Sequence, residues 1–147
     1  MITNLHHVAI LTKDMDSALE FYTELLGCQI PRVIEIDRPG LKLKSAMLPI
    51  GPSGKTYLQI LEPGLGPGVR ELERGGEGTI FEIGYQVDDL EAFNEEMIDE
   101  GVSPVDLSGQ PIPGKFIVSK FGNRYSFLPK DKTRGTRSEF VQVMEQD

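Results

Sequence analysis

Side chains able to carry chemistry are scarce in this chain, so their positions are informative. There are two histidines, His6 and His7, and one cysteine, Cys28. The histidines stand side by side in HHVAI, a β-branched run that reads as a strand, and successive strand residues point to opposite faces. Each face therefore receives one imidazole, a group that can bind a cation or exchange a proton near neutral pH, and never a pair. Cys28, being alone, can form neither an internal disulfide nor a thiolate cluster. In LLGCQI it follows an expected helix end and reads as a small apolar filler. Four cations, Lys130, Lys132, Arg134 and Arg137, gather in PKDKTRGTR, either as a solvated hairpin loop or as a clamp for an anionic substrate tail.

More polar residues stand out when the chain is laid on itself. HHVAILTKDMDSALEFYTELLG reads as a strand, then Asp14 as helix N-cap, then Met15, Leu19, Tyr22 and Leu25 along one helical face, closed by Gly27. FEIGYQVDDLEAFNEEMIDEG repeats the plan, with Asp88 or Asp89 as cap, Leu90, Phe93, Met97 and Ile98 facing inward, and Gly101 as stop. Placing Asp14 on Asp89 is a shift of 75 residues, and the same shift lays His7 on Glu82. KSAMLP (44–49) lies on RYSFLP (124–129) at a shift of 80, which pairs Lys44 with Arg124. YLQILE (57–62) lies on FVQVME (140–145) at a shift of 83, which pairs Gln59 with Gln142.

The elements that must position these residues come from the repeat. A strand, a helix and three strands, used twice, give an α+β fold of two tandem βαβββ modules whose small sheets form a curled open sheet, with helices on its outer faces. The first module spans about 1–63 and the second about 79–147, all within a single domain. Between them the Gly- and Pro-rich linker 64–78 has room for one short helix near Val69 to Arg74. Alternation places Leu58, Ile60, Val141 and Val143 against the helices and leaves Gln59 and Gln142 in the trough.

Composition narrows the function classes. Apolar residues make up 39% and charged residues 26%, the range of a folded domain and not of a disordered chain. A net charge of −8 argues against a nucleic-acid partner. The apolar runs are too short to cross a membrane, and the opening MITNLHHVAI lacks a secretory signal, so a cytoplasmic address is expected.

The chain resembles the vicinal oxygen chelate superfamily of glyoxalases, extradiol dioxygenases, bleomycin-resistance proteins and methylmalonyl-CoA epimerases. The resemblance is carried by HHVAI with FYTELLG, LQILEP, VDDLEAF, and GNRYSFLP with FVQVME. It is closest to the epimerases in LQILEP and GNRYSFLP, and it implies the glyoxalase-like fold. It also implies a metal held by one side chain from each of four strands, here His7, Gln59, Glu82 and Gln142. Such an oxygen-rich set suits a divalent Mn, Co, Ni, Fe or Mg ion better than a tight Zn site. Alternatively the four form a hydrogen-bonded polar trough without metal.

Two positions depart from the pattern the resemblance implies. The last-strand ligand is a carboxylate in the epimerases and is Gln142 here, an amide that cannot accept a proton at neutral pH. Sliding the alignment brings Glu139 into that place, because GTRSEF imitates the family's Gly-x-x-x-Glu spacing. Phe140 and Gln142 would then face the helix and Val141 the trough, a poorer alternation, so Gln142 is the expected ligand and Glu139 the reserve. The second catalytic carboxylate is replaced by Lys44. With Arg124, Lys44 is expected to bind the anionic end of a substrate, and Lys44 or Glu139 is expected to move the proton.

The resemblance thus implies a metal-dependent lyase or isomerase/epimerase acting beside a carbonyl or carboxylate of a small anionic substrate. The alternative is a metal-free binding protein of the bleomycin-resistance type. An extradiol dioxygenase ranks lower, because its iron needs two histidines and a carboxylate. Members of the superfamily often dimerise, and a homodimer is expected.

Overall fold

The computed structural model describes residues 1–29 and 31–145; positions 146–147, at the end of the expected second module, lie outside the described residues. The chain forms β1 (Ile2–Leu11), α1 (Met15–Glu20), β2 (Val33–Arg38), β3 (Leu41–Ile50), β4 (Thr56–Leu65), α2 (Val69–Gly75), β5 (Ile80–Val87), α3 (Leu90–Asp99), β6 (Ile117–Val118), β7 (Arg124–Leu128) and β8 (Ser138–Gln142). These elements group into two compact units, His7–Phe81 and Met1–His6 with Glu82–Asp147. Each module is βαβββ, as the repeat predicts. The strand orders are the same, β2-β3-β4-β1 in one and β6-β7-β8-β5 in the other. In each, three antiparallel strands end on a strand that pairs parallel to the module's first, β4 with β1 and β8 with β5. No helix among the described residues is long and apolar enough to cross a membrane.

In the unit His7–Phe81, Met15 of α1 packs on Ala46, Leu48 and Ile60, flanked by Ala18, Leu19, Tyr22, Leu58 and Cys28. Cys28 is thus the apolar filler the sequence suggests. Asp14 caps α1 through hydrogen bonds from the backbone of Asp16 and Ser17 and from the Ser17 hydroxyl. That hydroxyl, and then the Ser17 N–H, hold the Asp14 carboxyl below its ordinary range. After Glu20 the helix widens into a π-helical turn, Phe21–Leu25, in which Leu26 N donates to Phe21 O (3.3 Å). The added residue rotates the last part of the helix, so Leu25, expected inward, is 71% exposed.

The 64–78 linker carries its expected helix, α2. It begins after Gly66, whose φ of +97° and approach to the Gly40 carbonyl, 2.5 Å from where a Cβ would stand, leave no room for a side chain. Glu77 at its end accepts hydrogen bonds from Thr12 Oγ1 (2.9 Å) and from Lys13 N, tying the linker to the end of β1.

In the other unit, Asp89, not Asp88, caps α3 by accepting from Ala92 N (3.0 Å). Asp88 instead binds the amino terminus at 2.8 Å. Leu90 packs with Val87, Leu128 and Phe140, joined by Phe93 and Met97, and the Phe140 ring stacks on Phe93 with centroids 4.5 Å apart. Ile98, expected inward, is 54% exposed, and Asn94 is buried in the stripe beside Leu90 and Met97. The Asn94 amide is satisfied: Oδ1 accepts from Ser126 Oγ (3.0 Å) and Nδ2 donates to Lys115 O (2.9 Å). Asn94→Ala would leave that hydroxyl and carbonyl without their partner. It is expected to lower stability by about 1–3 kcal/mol in urea denaturation, while an exposed control such as Glu95→Ala shifts the curve by less than about 0.5 kcal/mol.

Candidate metal and proton-transfer site

Strand register decides which polar side chains share a face. In β1 and β4 the paired residues are His7 with Tyr57, Ala9 with Gln59, and Leu11 with Leu61. His7, Ala9, Gln59 and Leu61 therefore stand on one face, His7 one pleat before the strand position level with Gln59. The opposite face carries Leu58 and Ile60, which pack toward α1 as expected. In the other unit Gly84 pairs with Glu139 and Tyr85 with Phe140. Glu82 precedes Gly84 by one pleat, so Glu82 stands to Glu139 as His7 stands to Gln59. The neighbouring strands agree, since Met47 pairs with Gln59 and Phe127 with Glu139.

These registers correct the sequence reading of the last strand. They match Ala9 with Gly84 at the shift of 75 and Gln59 with Glu139 at a shift of 80, the value already given by KSAMLP and RYSFLP. The shift of 83 slides β8 by an odd number of residues and so exchanges its two faces. Phe140 fills the core under α3. Gln142, two residues on, turns to the same side, where its Oε1 accepts a hydrogen bond from Leu90 N (3.0 Å) at the start of α3. Val141, expected against the helix, stands on the side of Glu139. The alternation that looked poorer in the sequence is the one the chain adopts.

Lys44 and Arg124, expected to face the trough, are turned the other way for the same reason. Lys44 shares its face with Ala46 and Leu48 and pairs with Glu62 (Nζ to Oε2, 3.7 Å), whose other oxygen accepts from Met15 N (2.9 Å) at the start of α1. Arg124 shares its face with Ser126 and Leu128, and its guanidinium lies 4.3 Å from the centre of the Phe116 ring. The residue that β3 presents beside Gln59 is Ser45, which the sequence reading passed over. A Lys-Ser pair straddles the strand, and only the packing of Ala46 against α1 tells which member faces which way. Of the basic segment, Lys130, Lys132 and Arg134 lie toward solvent at the turn, and Lys130 and Arg137 border a small cavity of about 110 Å³ with Asp106, Ser108 and Phe127.

The donors suit a hard divalent ion. His7 and Glu82 are buried, at 3% and 5% exposure. Oxygens of Glu82 and Glu139 approach within 4.8 Å of each other, and two carboxylates so close repel unless positive charge lies near them. In the other unit, Gln59 donates its Nε2 to Ser45 Oγ (2.9 Å), while its Oε1 is buried and accepts no hydrogen bond. A buried carbonyl oxygen left bare beside an imidazole-bearing face is what a cation would satisfy.

Comparison with known proteins identifies the family and the fold. A model of the Glyoxalase/Bleomycin resistance protein/Dioxygenase superfamily matches residues 4–124. The chain is 30% identical over 146 residues to an ethylmalonyl-CoA/methylmalonyl-CoA epimerase of Cereibacter sphaeroides, covering 97% of this chain and 100% of that one. It is 28% identical over 127 residues to a 2-epi-5-epi-valiolone epimerase of an Actinomyces species, with 75% and 68% covered. A Streptomyces coelicolor methylmalonyl-CoA epimerase variant, solved with 2-nitronate-propionyl-CoA, superposes with a TM-score of 0.78 over 99% of this chain and 100% of its own, at 23% identity. The two-module glyoxalase-like fold expected from the sequence is the fold of this chain.

The role of Gln142 can be checked by stability alone. Gln142→Ala should cost about 1 kcal/mol by removing the bond to Leu90 N, whereas Gln142→Glu, which keeps an acceptor and adds negative charge at a helix N-terminus, should be neutral or stabilising by about 0.3–1 kcal/mol. Equal losses in both variants, measured by thermal unfolding, would remove the capping role.

Proposed function

Because the chain belongs to the Glyoxalase/Bleomycin resistance protein/Dioxygenase superfamily, we propose that it is a metal-dependent isomerase or epimerase. Its reaction would move a proton at the carbon beside the carbonyl of an acyl-CoA thioester. We assign the ion to the strand positions that the family resemblance implies, His7, Gln59, Glu82 and, in place of Gln142, Glu139; His7, Glu82 and Glu139 each offer a ligand atom. The observation that carries this reading is the shared register: equivalent strand positions in the two modules supply an imidazole and a bare amide oxygen in one, and two close carboxylates in the other. The thioester assignment rests on the epimerase relative matched over its full length.

A bound divalent ion would polarise the carbonyl and so acidify the neighbouring C–H. His7 and Glu82, buried and on strands, fix the position of that charge. Glu139, half-buried, is assigned removal of the proton on one face of that carbon: a carboxylate can accept one, which no amide at this place could do. Inversion then takes its new proton from the opposite face, from solvent or another acid. Lys44, turned to the helix-covered face and paired with Glu62, is not assigned this role. The anionic handle of the substrate is assigned to Lys130 and Arg137, which border a cavity beside Phe127, the β7 partner of Glu139.

Elemental analysis of the purified protein should find one divalent ion per chain, and Glu82→Ala should lose it with the fold intact by circular dichroism. Glu139→Gln should lower epimerisation of methylmalonyl-CoA or ethylmalonyl-CoA, and solvent-deuterium incorporation beside the carbonyl, by about 10²–10⁴-fold. Protein that takes up no ion and is indifferent to chelator would overturn the proposal in favour of a metal-free binding protein.

A further inference from the structure

We propose that Ser45 is a positioning residue for the metal site, and that it acts by fixing which end of the Gln59 carboxamide is presented as a ligand; this rests on the metal reading above. The two ends of a carboxamide are nearly the same size and opposite in chemistry, one an oxygen acceptor and the other an NH₂ donor. Half a turn about the last side-chain bond exchanges them, and only the oxygen can bind a cation.

The surroundings of Gln59 offer a device that settles the choice. Ser45 lies on β3, two residues before Met47, the cross-strand partner of Gln59, and therefore on the same face one pleat away. It is 7% exposed, so its hydroxyl is not free to turn to bulk water. Its Oγ accepts from Gln59 Nε2 at 2.9 Å. With the nitrogen held there, Oε1 is left buried and without a hydrogen-bond donor. A bare buried acceptor is unfavourable in itself, and it is tolerated most readily where a ligand supplies the missing partner. The pairing is local to one unit and depends on no proton transfer, so it separates cleanly from the chemistry assigned to Glu139.

The residue type fits this role. A serine hydroxyl cannot act as a base at neutral pH. Its value lies in taking one hydrogen bond. Threonine keeps that group, and alanine removes it while scarcely changing the shape of the face.

The test is calorimetric titration of metal-stripped protein with Mn²⁺, free of any substrate. Ser45→Ala should weaken Mn²⁺ binding by roughly 10–100-fold, the usual effect of removing a group that orients a ligand. Ser45→Thr should bind within about threefold of the original chain if the hydroxyl is what matters. The decisive comparison uses Gln59→Ala. If Ser45 acts through Gln59, then Ser45→Ala adds nothing to the loss already caused by Gln59→Ala. Unfolding midpoints of every variant identify any that is merely misfolded, and a misfolded Ser45→Ala is replaced by Ser45→Cys, which keeps the volume with a far weaker acceptor. Full Mn²⁺ affinity in the alanine and cysteine variants, or independent and additive losses in the double variant, overturns the role of Ser45 and leaves the metal site standing. An original chain that takes up no Mn²⁺ overturns the metal reading and this inference with it.

Discussion

Burial of Ile60 against α1 and of Phe140 against α3 fixes the side on which every other residue of β4 and β8 stands. A strand has two faces and a period of two, so one side chain committed to a core leaves its neighbours no choice. Gln59 and Glu139 are turned away from the helices because Ile60 and Phe140 are turned toward them. Ser45 meets Gln59, and Lys44 does not, because Ala46 is wholly buried under α1. The apolar face of each sheet sets the side on which the site residues stand, through the pleat.

The same commitment sorts charge. Lys44 and Arg124 occupy the helix-covered faces, where one pairs with Glu62 and the other lies over an aromatic ring. The opposite faces receive the imidazole, the amide and the two acids. An oxygen-rich, acidic set of this kind favours hard cations over thiophilic ones. Lys44, on the face of β3 opposite Ser45, stands where it cannot compete with an ion for Gln59 or His7. An overall charge of −8 suits capture of a cation, and Lys130 and Arg137 bring positive charge to the border of one small cavity.

Two irregularities serve the regular elements. The π-helical turn after α1 leaves Leu25 outside the core, and Cys28, just beyond it, packs on the core instead. Asn94 takes a place in the apolar stripe of α3 and ties Ser126 of β7 and the Lys115 carbonyl to the helix. A satisfied buried amide is directional where apolar packing is not, and it pins the helix to one position along the strand. Gln142 adds a second tie between β8 and the start of α3.

The sequence alone determined the duplication, the βαβββ order, the Asp14 cap of α1 and the equivalence of His7 with Glu82 and of Lys44 with Arg124, and it left the α3 cap between Asp88 and Asp89. These are local or repeated patterns, written in periodicity and in residue type. It also contained Glu139, but only as a reserve behind Gln142, the residue that the sequence favoured. YLQILE matches FVQVME at a shift of 83 far better than it matches RSEFVQ at a shift of 80, so residue resemblance favoured the phase that the chain does not adopt. Only tertiary structure decided that phase. The deciding contact is the Phe140 ring against Phe93 and Leu90, residues some fifty positions distant in the chain, and the same kind of long-range packing turned Lys44 away from Gln59 and Ser45 toward it.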